Sequence, residues 1–225
     1  MNNSIDTYEV PLHTIYRTMM ETISNKALIN RVSEKIPQDS RFILGIAGIP
    51  GAGKTTLAAR LAQELDGKVV AMDGFHYRNE VLRSMGLTAK KGIPETFDVE
   101  SFIACLARVR NGLNRSVFCP DYSRVLHEPV EDAIEIPPSC RLVIVEGNYL
   151  LLRQGLWAQA RTYLDECWYI ATDVETALER VARRHRGKRL TDEEVSRKIE
   201  QTDRPNCALI ESTKNYADFV FVLTD

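Results

Sequence analysis

The stretch Phe42 to Ala47 (FILGIA) is apolar at every position, a pattern that suits a parallel strand buried on both faces better than an amphipathic one. Shorter apolar runs at Lys68 to Met72, Arg141 to Val145, Glu166 to Ile170 and Phe219 to Leu223 predict further strands. Helical spacing fills the intervals, with stripes at Leu57, Ala58, Leu61, Ala62 and Leu65, then at Val99, Phe102, Ile103, Leu106 and Val109. A third stripe runs through Val174, Ala177, Leu178, Val181 and Ala182, behind the capping-box spacing of Thr172-Asp173-Val174-Glu175. Gly67 reads as a helix C-cap, and Asp98 as an N-cap for the helix that Asn111-Gly112 ends.

Other segments predict less regular structure. Leu12, Ile15, Tyr16, Met19 and Ile23 share one helical face, so residues 1–40 read as a helical extension packed on a domain of residues 41–225. Residues 116–138 combine proline breaks with many charges, the composition of a long substrate-holding loop. A polar helix is expected from Thr191 to Thr202, ended by Asp203-Arg204-Pro205-Asn206. Strands alternating with helices predict a doubly wound α/β sandwich of three layers around a mostly parallel sheet.

The chemistry begins where the first apolar run stops. Gly48, Ile49, Pro50, Gly51, Ala52, Gly53, Lys54, Thr55 and Thr56 contain G-x-x-x-x-G-K-[ST], the P-loop pattern. Its glycines let backbone N–H groups converge on phosphate oxygens, and the helix opening at Lys54 adds its positive end. Lys54 reaches the β- and γ-phosphates of a nucleotide as a point charge, while the Thr55 hydroxyl ligates Mg²⁺. A dinucleotide fingerprint is excluded, because Thr56 stands where a third small residue is needed.

Two carboxylates sit at predicted strand tips. Asp73, in MDGFH, either caps its own turn or faces the ligand edge of the sheet. Glu146, after Leu142-Val143-Ile144-Val145, has the Walker B position of an acid that orients the metal. The basic run Arg180, Arg183, Arg184, His185, Arg186, Lys188 and Arg189 can complement a helix C-terminus, bind nucleic acid, or form a lid over phosphates, at about residues 180–206. Beside a P-loop the lid is favoured.

Composition narrows the partners. A net charge of -2 over 225 residues excludes a general nucleic-acid binder, and no apolar stretch is long enough to span a membrane. Five scattered cysteines without a C-x-x-C pair suggest reduced, buried thiols rather than disulfides or zinc. With no signal-like N-terminus, a cytoplasmic enzyme with a small-molecule partner is expected, and a homodimer stays open. Guanine-specific GTPases lack their aspartate here, since Thr213-Lys214 is followed by Asn215 and Tyr216.

The ordered set GIPGAGKTT, MDGFH, KGIPETFD, PDYSR, VIVEGNYLLL and STKNYADFVF resembles the P-loop kinases grouped with uridine kinase, phosphoribulokinase and bacterial pantothenate kinase. It is most similar to the bacterial subgroup described as nucleoside/nucleotide kinase-like or fructose-transport-system kinase. The resemblance covers Phe42 to Leu223 and implies a Mg²⁺- and ATP-dependent kinase that phosphorylates a metabolite hydroxyl. It also implies that Asp73 is the general base, that Arg183 and Arg184 belong to the lid, and that Tyr122 and Arg124 contact the substrate. His76, Arg78, Asn148 and Tyr149 are further substrate-side candidates. Pantothenate kinases carry a histidine near the position of Arg124, a departure that argues against pantothenate as the acceptor. A nucleotide-switch ATPase acting on a protein partner, without a small acceptor, uses the same P-loop, Glu146 and lid.

Overall fold

In the computed structural model, residues 21–187 and 190–224 are described. After β1 (Glu21–Ser24) and α1 (Asn25–Ser33), the chain forms β2 (Phe42–Ala47), α2 (Lys54–Glu64) and β3 (Lys68–Ala71). Then come α3 (Asn79–Ser84), α4 (Val99–Asn111), the strands β4 (Val117–Ser123) and β5 (Glu128–Ile136), and β6 (Leu142–Glu146). The last part holds β7 (Glu166–Ile170), α5 (Val174–Arg186), α6 (Asp192–Lys198), α7 (Arg204–Glu211) and β8 (Phe219–Thr224). Six strands form one sheet in the order β1-β8-β7-β2-β6-β3, and every pair in it is parallel.

Right-handed crossovers then dictate where the helices go. The steps β1 to β2 and β2 to β3 advance in one direction, so α1 and α2 share a face, where they touch. The returns β3 to β6 and β6 to β7 run the other way and put α4 and the 3₁₀ segment Gly155–Tyr163 together on the opposite face. Between these layers β2 and β6 are buried at every residue, which is why their sequences are apolar up to Glu146 at the tip of β6. The fold is the expected α/β sandwich, and α5, α6 and α7 contain the stretch, about residues 180–206, in which a lid is expected.

Four local expectations change. Ile23 lies in β1, opposite Leu223 of β8, not on a helix; Ser24 ends the strand by accepting from Ala27 N to cap α1. The other residues of that expected helix, Leu12, Ile15, Tyr16 and Met19, lie outside the described residues. Residues 117–136 are no loop but an antiparallel ribbon, with a bulge between Cys119 and Asp121 where Pro120 has no N–H to give. Helix α5 is capped by Asp173, whose carboxylate accepts from Thr176 N; the full capping box belongs to Thr191 and Glu194 instead. Finally, the helical run of residues 192–211 passes through its expected break: a π turn, Ile199–Asp203, leads straight into α7, where Pro205 occupies the first turn and its missing N–H costs nothing.

Gly67 also acts differently from a simple C-cap. Asp66 takes the left-handed conformation (φ 51°), and Gly67 N then donates to Ala62 O at 2.8 Å. This is a Schellman closure whose glycine is small because Leu142 lies against it.

Arg41 fastens the entrance of β2. Its buried guanidinium donates to the carbonyls of Cys140 (3.0 Å), Val109 (2.5 Å) and Pro137 (3.1 Å), joining the end of α4 to the approach of β6. Burial pulls its pKa below the usual arginine value. Replacement by methionine leaves three carbonyls without donors at ~1–3 kcal/mol each. Arg41→Met is therefore expected to destabilise the fold by about 3 kcal/mol, read from the urea midpoint at unchanged m-value.

Candidate active site

The loop between β2 and α2 has three glycines with positive φ: Gly48 at 153°, Gly51 at 85° and Gly53 at 96°. A side chain at Gly51 would lie 2.4 Å from Ala177 O of α5, so the loop is pressed directly against that helix. At Gly53, where α2 begins, a Cβ would meet nothing within 4 Å. The N-terminus of α2 thus opens onto free space, as a phosphate cradle requires.

Lys54 is buried, and its ammonium donates to the carbonyls of Gly48 (2.9 Å) and Ile49 (3.0 Å). Burial lowers its pKa, while Glu146 and Asp73 act against that shift. Glu146, buried at the tip of β6, accepts from the Thr55 hydroxyl at 2.9 Å. Its pKa is raised by burial, and Lys54 opposes the rise. Both groups are pushed toward neutrality by desolvation, so added ligand charges would be welcomed by each.

The oxygens of Thr55 and Glu146 are hard donors side by side, a set that fits Mg²⁺ completed by phosphate oxygens and water. Among the described residues no cluster of three or more His, Cys, Asp or Glu offers an all-protein metal cage.

Asp73 stands in a 3₁₀ turn after β3, with a side chain 57% exposed. Among the described residues its carboxylate accepts no hydrogen bond, so it does not cap its own turn. Beside it, His76 is almost enclosed: the ring stacks on Phe97 at 3.8 Å and meets Tyr122 edge-on at 5.6 Å. Its Nδ1 lies 3.2 Å from Thr96 O. Burial lowers the His76 pKa first of all, against the pull of Asp73.

The ribbon supplies the facing wall. Gly74 lets it approach, since a Cβ there would sit 2.6 Å from Pro120 O. Tyr122 is half-buried and its pKa is pushed up to about 12, chiefly by burial and then by Asp73. Lys91 lies over its ring at 5.1 Å and donates to Asn79 Oδ1 and His127 O. Arg124 is exposed at the ribbon turn and still close enough to act on Glu146. Val125 and Leu126 beside it are 90% and 66% exposed.

Other expected residues fall into different places. Arg78 is exposed and pairs with Glu131 of the ribbon, and Asn148 is half-buried beyond the tip of β6. Tyr149 turns inward: it is buried, with its hydroxyl 2.6 Å from Gly92 O and 2.9 Å from Asn206 Oδ1, in an aromatic cluster with Phe97 and Trp157. It therefore braces the site from behind. Arg183 and Arg184 are exposed on α5, with Arg184 close enough to influence Lys54. Lys188 and Arg189 lie outside the described residues.

One contact was missed by sequence reasoning. Arg180 Nη1 donates to Gly51 O at 3.1 Å, tying α5 to the P-loop. It belongs to the basic run, but spacing alone does not separate a loop-binding arginine from its solvated neighbours. Farther along, His185 of α5 and Asp203 form a buried pair at 2.9 Å, and Arg204 bridges Glu175 and Glu200.

No protein-family model matches the chain. A provisionally named uridine kinase of Schizosaccharomyces pombe, C227.14, is 32% identical over 206 residues, covering 86% of this chain and 88% of that protein. A pantothenate kinase of Shouchella clausii is 33% identical over 154 residues, covering 65% of this chain and 48% of the kinase. The crystal structure of a provisionally assigned fructose transport system kinase from Silicibacter sp. TM1040 superposes with a TM-score of 0.79 at 32% identity, covering 88% of this chain and 98% of that one. With relatives of this identity and coverage behind the same P-loop architecture, the chain belongs to the P-loop kinases grouped with uridine kinase and pantothenate kinase, and is a small-molecule phosphotransferase.

Proposed function

We propose that the enzyme transfers the γ-phosphoryl group of ATP to a hydroxyl of a small polar metabolite, with Asp73 as the base that accepts the hydroxyl proton. The observation that carries this reading is the position of Asp73: an exposed carboxylate after a strand end, on the same sheet edge as the buried Lys54 and Glu146. Gly48 to Thr56 hold the triphosphate, with Lys54 leaving its loop carbonyls to meet phosphate oxygens. Thr55 and Glu146 hold Mg²⁺, which when bound neutralises phosphate charge. Arg183 and Arg184 supply positive charge from the lid, and closure of that segment excludes water from the transfer.

The acceptor site is the space bounded by Asp73, His76, Tyr122 and Arg124. Tyr122 keeps its proton at neutral pH and so donates as well as accepts. A guanidinium at Arg124 suits a polyol or an anionic group, and the names of the relatives offer uridine, pantothenate and fructose as acceptors to try.

Lys54→Ala is expected to abolish ADP formation from Mg-ATP with any acceptor. Asp73→Asn is expected to lower kcat by ~10²- to 10⁴-fold while ATP binding, read by calorimetry, persists. Near-normal turnover in Asp73→Asn would sink the base assignment. ADP release that ignores every acceptor but responds to a protein partner would favour a nucleotide switch instead.

A further inference from the structure

All five cysteines are buried and free, and two of them touch. Cys105 of α4 and Cys119 of β4 place their sulfurs 3.0 Å apart, although their spacing in the sequence suggests no pair. A disulfide bond is ~2.05 Å long, so closing it takes about 1 Å of sulfur movement. Both residues stand at a joint of the molecule. Cys119 opens the bulge of the ribbon, directly before Pro120, whose carbonyl lies against Gly74. On the other side, α4 packs Phe102 on Phe75 of the turn that carries Asp73, at 5.0 Å.

The thiols are chemically unequal. Burial pushes Cys140, Cys167 and Cys207 up, which keeps them protonated and inert. Cys105 alone is lowered, first by its hydrogen bond with Cys119 and further by Arg108, against the effect of burial. The same bond raises Cys119. Once Cys105 gives up its proton, the Cys119 thiol donates to the thiolate. Arg108 is exposed and lines a surface depression of about 230 Å³ with Asn111, Gly112 and Arg115. A small polar oxidant therefore meets the pair's guanidinium neighbour at the surface.

We propose that Cys105 and Cys119 are a modification site, which a peroxide oxidises to a disulfide that pins the base of the ribbon to α4. The Cys105 thiolate attacks one peroxide oxygen and the O–O bond breaks. Hydroxide leaves and takes up the proton that Cys105 released, giving water and a sulfenic acid. The Cys119 sulfur then attacks the sulfenic sulfur, and its proton departs with the hydroxyl as a second water. Two thiols lose two electrons, and the peroxide gains them. Because the ribbon carries Tyr122, the bond fixes the wall that faces Asp73 and leaves the phosphate loop untouched.

The test treats the folded protein with hydrogen peroxide at neutral pH, then alkylates it in denaturant and maps its peptides by mass. Cys105 and Cys119 are expected to be joined, with Cys140, Cys167 and Cys207 alkylated, and dithiothreitol should reverse the link. The oxidised protein should unfold about 5 °C higher, and amides of residues 117–136 should exchange ~10-fold more slowly. In Cys119→Ala, where no thiol can resolve the intermediate, dimedone should label Cys105. Cys105 left reduced, or joined to a different cysteine, overturns the proposal. So does a link that forms only after unfolding in urea, or one that leaves the melting midpoint and ribbon exchange unchanged. The peptide map of the wild type decides the pairing even where the alanine variant fails to fold.

Discussion

A parallel strand covered on both faces has no place for a polar side chain until it leaves the sheet, and this constraint arranges everything else in the molecule. Strands β2 and β6 are dry up to their C-terminal tips, so Lys54, Glu146 and Asp73 all lie at or beyond strand ends, on one edge. The same dryness sets their electrostatics. Desolvation pushes Lys54 and Glu146 toward neutrality while each opposes the other's shift, and Lys54 donates to two loop carbonyls as well. A buried pair held in this way is poised to exchange internal partners for ligand charges.

Behind that edge, packing rather than polarity fixes geometry. Phe75, Phe97, Phe102, Tyr149 and Trp157 form one connected aromatic group, and His76 stacks on its outer member. The turn after β3 is therefore backed by rings whose contacts fill space with little freedom to shift.

What the sequence made legible is what neighbouring residues decide among themselves. Strands, the P-loop, the Asp98 cap and the acids at strand tips are all written in contiguous stretches, and each appears where its pattern put it. The remainder depends on partners far along the chain. The ribbon is held by pairing such as Val117 with Ile136, which no local periodicity reports, and its prolines look like loop signals. Ile23 follows a helical spacing, but the free edge of β8 captures it. Tyr149 reads as a site residue because it follows Glu146, yet its ring turns into the apolar cluster. Asp173 outcompetes Thr172 as a cap because an ionised carboxylate is the stronger acceptor.

The contact between Gly74 and Pro120 divides the ribbon into two parts with different freedom to vary. At its base, any side chain at Gly74 would push the ribbon away from the turn that carries Asp73, so this join tolerates no change. At its tip, Arg124, Val125 and Leu126 are exposed and support nothing beneath them. Substitutions there change the exposed surface of the ribbon without moving Asp73. A scaffold built this way can exchange one acceptor for another over evolutionary time while its phosphate chemistry stays in register.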